Sequence, residues 1–143
     1  MAKKSINKLS QSNILSLYEH LFLYVKQYEK NYGNFNWNDD SISTFCKNNH
    51  IVKKGCRNQK YDNDFFWFET HTKEKKGNDI AFHFLRHIRN AFAHANINKI
   101  RRKNKSYLII DDYNKNGKQT MHGEIKEDLF FQFLETVTNS LKN

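Results

Sequence analysis

The sequence predicts a single domain that is mainly all-α: a helical bundle with one β-hairpin between the last two long helices. Apolar residues recur at helical spacing before residue 33, around residues 78–95 and near the C-terminal end. The chain has no proline and five glycines, so few positions interrupt a helix. Two extended runs separated by NKNG predict the hairpin. A length of 143 residues fits one domain, 1–143, in which residues 1–9 are expected to be disordered.

The first half of the chain is predicted to contain two helices. The first extends from about Ser10 to Gly33 and carries apolar residues at helical spacing: Ile14, Leu17, Leu21, Val25 and Tyr28. After an asparagine-rich loop, a short helix is expected from Asp40 to Asn49. Residues 50–76 show no clear pattern, because the aromatic run FFWFE at 65–69 lies between segments typical of loops.

The second half is predicted to contain a long helix, the hairpin and a last helix. Asn78 is a good cap for a helix that ends near Ala95. The basic run KIRRKNK at 99–105 is expected to be a loop, and the hairpin strands follow at 106–113 and 118–125. The last helix begins near Glu127 and places four apolar residues on one face: Phe130, Leu134, Val137 and Leu141. With twelve Phe and seven Tyr, the core is expected to be aromatic.

The composition favours a basic protein of a reducing compartment. A net charge of +9 attracts polyanions, so nucleic acid is the first partner to consider. A basic surface that meets an acidic protein is the alternative. Cys46 and Cys56 form neither a metal-binding spacing nor a disulfide framework. Since the sequence has no signal peptide and no apolar run of membrane-spanning length, we expect a soluble, cytoplasmic protein that makes no membrane contact and needs no cofactor or metal.

The helix at 78–95 carries most of the reactive side chains, in the stretch HFLRHIRNAFAHANI at 83–97. At about 100° per residue its apolar residues form one broad stripe. A line of polar residues lies outside that stripe: His83, His87, Asn90 and His94. Phe82 and Ala93 fall within the polar arc, beside Arg86 and Arg89. A large and a small apolar residue among polar ones favour a helix–helix contact, so we expect a homodimer formed through the 78–95 helix.

The segment Arg89-Asn90-Ala91-Phe92-Ala93-His94 matches the R-x-x-x-x-H signature, and here the chain resembles the HEPN family. The surroundings match as well: Gly77-Asn78 opens the helix, Leu85-Arg86 precedes the signature and Ala95-Asn96-Ile97 follows it. The hairpin and the Phe-rich last helix are similar to the bacterial branch found in toxin and phage-defence genes. The resemblance covers about residues 10–141 and is sharpest over 78–97.

This resemblance implies an all-α bundle that dimerises through the motif helices and cleaves RNA without a metal at a site shared by two subunits. It assigns Arg89 and His94 as the active-site pair and Asn90 as their polar neighbour. The chemistry agrees, because histidine can transfer protons near neutral pH and arginine binds phosphate oxygens with a fixed charge. Arg89 and His94 are about 140° apart around an ideal helix, which favours a site assembled across a two-fold axis.

The cleavage reaction needs two proton transfers, and the second group is open at this point. His94 of the partner subunit is one candidate and His87 is the other, while Arg86 is a possible phosphate ligand. The basic run is expected to hold the RNA backbone through five residues: Lys99, Arg101, Arg102, Lys103 and Lys105. His83 and His87 have the four-residue spacing of a zinc pair, but no third ligand follows.

Three functional hypotheses follow from these features. The first is a homodimeric HEPN ribonuclease that serves as the toxin or effector of a toxin–antitoxin or phage-defence system, with a cognate antitoxin or defence protein as partner. The second is a non-catalytic HEPN module that binds RNA or a partner protein. The third is a HEPN protein that a nucleotidyltransferase antitoxin modifies. Cleavage of RNA that depends on His94 would separate the first hypothesis from the second.

Overall fold

The computed structural model describes residues 10–18, 35–70 and 77–140, and it contains a five-stranded mixed sheet. The prediction of a mainly all-α bundle is therefore wrong. The strands are β1 (Ile51–Val52), β2 (Asp64–Phe68), β3 (Ile97–Arg102), β4 (Lys105–Tyr113) and β5 (Gln119–Lys126). The helices of the described residues are α1 (Gln11–Tyr18), α2 (Asp40–Asn49), α3 (Gly77–Ala93) and α4 (Glu127–Thr138). None of these helices has the length and apolar character needed to cross a membrane.

The strands are arranged in the order β1-β2-β5-β4-β3. β1 pairs with β2 in parallel, and the other neighbours are antiparallel. Because side chains alternate along a strand, one face of the sheet carries Leu108 and Ile110 on β4 and Met121 and Ile125 on β5, all fully buried. Helices α3 and α4 pack on this inner face. The core therefore lies between one layer of helices and one sheet.

The sequence prediction missed three strands, β1, β2 and β3, and for the last two the reason is identifiable. All five residues of β2 are buried, so the run DFFWF shows no alternation of apolar and polar residues that would indicate a strand. β3 and the turn after it occupy most of the basic run at 99–105, which was expected to be a loop. Lys103 and Asn104 have φ values of 51° and 65°, as a two-residue type I′ turn requires. Basic residues suit β3 because it is an edge strand, where charge prevents pairing with another chain.

Several predicted elements are confirmed. α2 has the predicted bounds, and Asp39 caps it by accepting a hydrogen bond from the backbone N–H of Ser41 at 3.1 Å. The predicted hairpin is present as β4 and β5, and α4 begins at Glu127 as predicted. The first predicted helix is confirmed only as α1, since its continuation to Gly33 lies outside the described residues. The predicted cap side chain of Asn78 and the last apolar position, Leu141, also lie outside them.

The core is aromatic, as predicted from the composition. The ring of Phe84 on α3 lies 5.0 Å from those of Trp37 and Phe66, and 5.4 Å from that of Phe133. These four side chains are almost fully buried, and the contacts of Phe84 with Phe66 and Phe133 are edge-to-face, which stabilises beyond simple area burial. Gly123 on β5 leaves room for Phe66, because a Cβ at this position would lie 2.5 Å from the ring. The aromatic core thus fixes α3 against the sheet.

Candidate active site

Helix α3 ends in a capping motif at the histidine of the signature. The backbone N–H of Asn96 donates to the carbonyl of Ala91 at 2.8 Å, and the N–H of Ala95 donates to the carbonyl of Phe92 at 3.2 Å. This pair of bonds is a Schellman motif, in which His94 is the C-cap and Ala95 is left-handed with a φ of 57°. The left-handed conformation costs an alanine about 1–2 kcal/mol. The motif fixes the backbone on both sides of His94.

The two signature residues lie near this end of the helix. His94 is exposed and Arg89 is half-buried. In residues 77–96 the structure describes no hydrogen bond between their side chains, as expected for positions about 140° apart around a helix. One chain by itself therefore does not bring the predicted pair together.

His87 is buried against the sheet, with 6% of its surface exposed. Its Nδ1 lies 2.8 Å from Oδ2 of Asp112, and its Nε2 lies 2.8 Å from the carbonyl oxygen of Glu69. Because a carbonyl oxygen only accepts, Nε2 donates, and one further proton is shared between Nδ1 and the Asp112 carboxylate. Since both ring nitrogens are occupied and the ring is buried, this geometry does not support the predicted auxiliary role of His87 in proton transfer.

The same geometry bears on the zinc alternative. His83 and His87 are both buried, and His87 already uses its two nitrogens in hydrogen bonds. Across the described parts of the chain, no three histidine, cysteine or acidic side chains gather as a metal site would require. The described residues around this histidine pair thus do not form a zinc site.

A cleft of about 230 Å³ opens between α3 and the β4–β5 turn. Its lining includes the buried Asp112, the half-buried Asn90 and the exposed Arg86 and Lys115. Nδ2 of Asn90 lies 3.5 Å from Oδ2 of Asp112, at the outer limit of a hydrogen bond. The backbone N–H of Tyr113 donates to the other carboxylate oxygen of Asp112 at 2.9 Å. Of the three predicted catalytic residues, Asn90 is thus the one that faces the cleft.

A family model matches nearly the whole chain, from residue 3 to residue 143, and it describes the HEPN pEK499 p136 family. The chain belongs to this HEPN family. The resemblance stated from the signature is thereby confirmed. No curated protein and no solved structure matches the chain.

The predicted RNA-binding run of this HEPN domain lies around the β3–β4 turn and comprises Lys99, Arg101, Arg102, Lys103 and Lys105. Strand β3 leads away from the end of α3, so the turn is about 17 Å along the strand from where β3 begins. Lys99 pairs with Glu127 at 3.0 Å and Arg102 pairs with Glu124 at 3.1 Å. Part of this charge is therefore already compensated within the chain.

Among the described side chains, the predicted dimer surface of the HEPN helix is exposed at one position in its middle and at its C-terminal end. Arg86, Ala93 and His94 are exposed, whereas Phe82 is half-buried and packs against the core of its own chain. The aromatic member of the predicted interface pair is thus partly used within the domain. Dimerisation through this helix stays a prediction.

A second histidine network, which the sequence reasoning missed, lies on the outer face of the sheet. Nδ1 of His122 is 2.6 Å from Oδ1 of Asp111, and its Nε2 is 2.8 Å from Oε2 of Glu124. The hydrogen bond to Asp111, aided by the one to Glu124, outweighs burial and raises the pKa of His122 above its ordinary value of 6.5. Because this face is turned away from α3, the network is separate from the candidate active site.

Asp112 is the site residue that sequence reasoning should have found. In SYLIIDDY, the buried Leu108 and Ile110 alternate with half-buried positions, and Asp112 continues the buried set. A carboxylate is expensive to bury without a partner, so its position predicts a nearby cation or hydrogen-bond donor. Which donor it would be was not readable, since His87 lies 25 positions away along the chain.

Proposed function

We propose that this HEPN chain is an RNA endonuclease that acts as a homodimer, as the toxin or effector of a toxin–antitoxin or phage-defence system. The observation that best supports this proposal is the signature of Arg89, Asn90 and His94 at the solvent-exposed end of α3. The family to which the chain belongs is commonly associated with ribonucleases and toxins. The net charge of +9 supports a polyanionic substrate. An antitoxin or another defence protein would be the partner that controls it.

In the proposed reaction the 2′-OH of one nucleotide attacks the phosphorus that follows it. The O2′–P bond forms, the P–O5′ bond breaks, and the products end in a 2′,3′-cyclic phosphate and a 5′-OH. His94 of one subunit accepts the proton of the 2′-OH, and His94 of the partner subunit protonates the leaving oxygen. Arg89 stabilises the negative charge of the pentacoordinate phosphorus, and Asn90 orients the phosphate. DNA has no 2′-OH and is not a substrate in this mechanism.

The dimer is part of the proposal because a single chain leaves the two signature side chains apart. Ala93 is exposed beside His94, and a small residue there lets a second helix approach closely. Once two copies of α3 are related by a two-fold axis, Arg89 of each can reach His94 of the other. The exposed residues of the β3–β4 turn, Lys103 and Lys105, would then hold RNA several nucleotides from the cleaved bond.

The first experiment compares wild-type protein with His94→Ala and Arg89→Ala on tRNA and mRNA in the presence of EDTA. His50→Ala is a matched control, because His50 is also an exposed histidine at a helix C-cap. Wild type and the control should release 2′,3′-cyclic phosphate ends, and His94→Ala should be slower by about 100-fold or more. Equal cleavage by His94→Ala, or no cleavage of any RNA by wild type, contradicts the proposal and leaves a non-catalytic HEPN module as the better reading.

The second experiment tests the shared site through Ala93→Arg. A charged side chain at the dimer surface should give a folded monomer, seen by light scattering, that no longer cleaves RNA. The added positive charge does not weaken the electrostatic attraction of RNA, so a loss of RNA cleavage would be due to the loss of the dimer. Thr44→Arg on the exposed surface of α2 adds the same charge away from α3 and should stay dimeric and active. A fully active Ala93→Arg monomer would rule out a site built from two subunits.

A further inference from the structure

The cleft beside α3 carries two positive charges that are not compensated within the described residues. Arg86 on α3 and Lys115 on the β4–β5 turn are both exposed and line this cleft. In residues 10–18, 35–70 and 77–140, neither side chain makes an ion pair or a hydrogen bond. Among the described residues that line the cleft, Asp112 supplies the one carboxylate, and that carboxylate is already hydrogen-bonded to the buried His87. The cleft is therefore positively charged and open to an anion.

An exposed aromatic ring stands next to these charges. Tyr113 lines the same cleft and has 46% of its surface exposed, which is unusual for a large side chain in this domain. The β-strand register shifts between Asp112 and Tyr113, and irregularities of this kind re-aim a side chain. The turn that follows is held by Asn114, whose Oδ1 accepts from the backbone N–H of Asn116 at 2.9 Å. The backbone of the turn that connects Tyr113 and Lys115 to β5 is thus held by hydrogen bonds.

The cleft is connected to the candidate active site by the geometry of α3. Arg86, Asn90 and His94 follow one another at intervals of four residues, so they form a row on one side of the helix, with steps of about 6 Å along its axis. A strand of RNA that reaches His94 and continues along this row passes Asn90 and arrives at the cleft. Steps of this size are suited to successive nucleotides of an extended strand.

We propose that this cleft is a nucleotide-binding subsite for single-stranded RNA, which binds a nucleotide next to the cleaved bond. Arg86 and Lys115 bind its phosphate, and Tyr113 stacks on its base. A phosphate held between two cations and a base stacked on an aromatic ring are the two interactions that bind single strands without a double helix. Asp112 is a positioning residue, because through His87 it fixes α3 against β4 and so sets the width of the cleft. The subsite rests on the proposed function, since it gives the substrate class of that same site.

The phosphate contacts are tested by binding to a short, fluorescently labelled single-stranded RNA over a range of salt concentrations. Every protein carries His94→Ala so that the RNA stays intact. The slope of log affinity against log salt should fall by about 0.7 for each cation removed in Arg86→Ala and Lys115→Ala. Lys47→Ala removes one exposed charge from α2 and should leave the slope unchanged. Arg86→Ala and Lys115→Ala variants that behave like the Lys47→Ala control overturn the subsite.

The stacking contact is tested with Tyr113→Ala and Tyr113→Phe in the same background. Tyr113→Ala should bind about 5-fold more weakly or worse at every salt concentration, with the slope unchanged, whereas Tyr113→Phe keeps the ring and the affinity. Wild-type affinity in Tyr113→Ala contradicts the stacking role. If RNA binds through the cleft but the wild-type protein never cleaves RNA, the proposed function is contradicted and the subsite is not. If wild type cleaves RNA but the cleft variants bind RNA normally, the subsite is contradicted and the proposed function is not. If the protein binds no RNA, both are overturned.

Discussion

Replacing Asp112 by alanine tests the buried pair on which the cleft depends. Asp112 has 3% of its surface exposed and accepts hydrogen bonds from Nδ1 of His87 at 2.8 Å and from the backbone N–H of Tyr113 at 2.9 Å. Asn90 is a third, weaker donor at 3.5 Å. The alanine removes the acceptor for all three donors and leaves the buried imidazole facing an empty space. The carboxamide of Asp112→Asn keeps the shape and one acceptor oxygen.

The expected loss follows from these contacts. Breaking a buried pair by removing one partner costs about 3–5 kcal/mol. The lower part of this range applies here, because His87 keeps its other hydrogen bond, in which Nε2 donates to the carbonyl of Glu69 at 2.8 Å. The unpaired N–H of Tyr113 adds about 1 kcal/mol. We therefore expect Asp112→Ala to lower the free energy of unfolding by about 3–4 kcal/mol, and Asp112→Asn by about half as much.

The assay is urea denaturation followed by circular dichroism, with the midpoint and the slope fitted separately. The slope should stay constant if only stability changes. Asp62→Ala is the matched control, since it removes an exposed carboxylate and should change the free energy of unfolding by less than about 0.5 kcal/mol. A loss of less than about 1 kcal/mol for Asp112→Ala would refute the buried pair. Because Asp112 sets the width of the cleft through His87, Asp112→Ala and Asp112→Asn should also weaken RNA binding in the cleft, and Asp62→Ala should not.

Three other predictions test separate parts of the domain. Gly123→Ala should lower the free energy of unfolding in urea by about 1–3 kcal/mol, because the new methyl group would lie 2.5 Å from the buried ring of Phe66, and an unchanged midpoint would contradict this packing. Iodoacetamide at about pH 8 should label exposed Cys56 and spare Cys46, since burial raises the Cys46 pKa to about 11; mass spectrometry should show one adduct on the native protein and two in urea. The pKa of His122 in the folded protein is raised above 6.5, so the stability that its protonated ring adds is complete below pH 6.5 and is lost as the pH rises through that folded pKa. The difference in unfolding free energy between wild type and His122→Asn should therefore shrink from about pH 6 to about pH 9.

Local patterns in the sequence were sufficient for most of the helices and for the signature. Asp40–Asn49 was predicted with its observed bounds, because a cap, a short apolar face and a stop lie within a dozen residues. The signature was equally readable, since Arg89 and His94 belong to one helix. The fold class was not readable, because it depends on which segments pair. The run at 64–68 becomes a strand only once β5 lies beside it, and its continuous burial removes the alternation that would indicate a strand.

The residues of the candidate site also differ in whether local sequence patterns or long-range contacts determine their surroundings. Candidate residues that can be recognised from the pattern of one helix were predicted, and those that depend on a distant partner were not. His87 illustrates the difference, because its partners Glu69 and Asp112 lie 18 and 25 positions away. Its place in a polar line suggested a chemical role, whereas its two distant acceptors give it a structural one. Lys115 and Tyr113 were missed because only the fold brings the β4–β5 turn to α3.

The C-terminal end of α3 connects the position of His94 to that of the buried His87–Asp112 pair. The Schellman motif stops the helix directly after His94, so no further turn of helix follows the histidine. The same motif directs the chain into β3, where the carbonyl of Asn96 accepts a hydrogen bond from the N–H of Asp111 at 3.1 Å. That bond sets the register in which the next residue, Asp112, meets His87. A helix one residue longer would therefore move His94 and the Asp112 pairing together, which is a physical reason for an alanine to tolerate the left-handed conformation at Ala95.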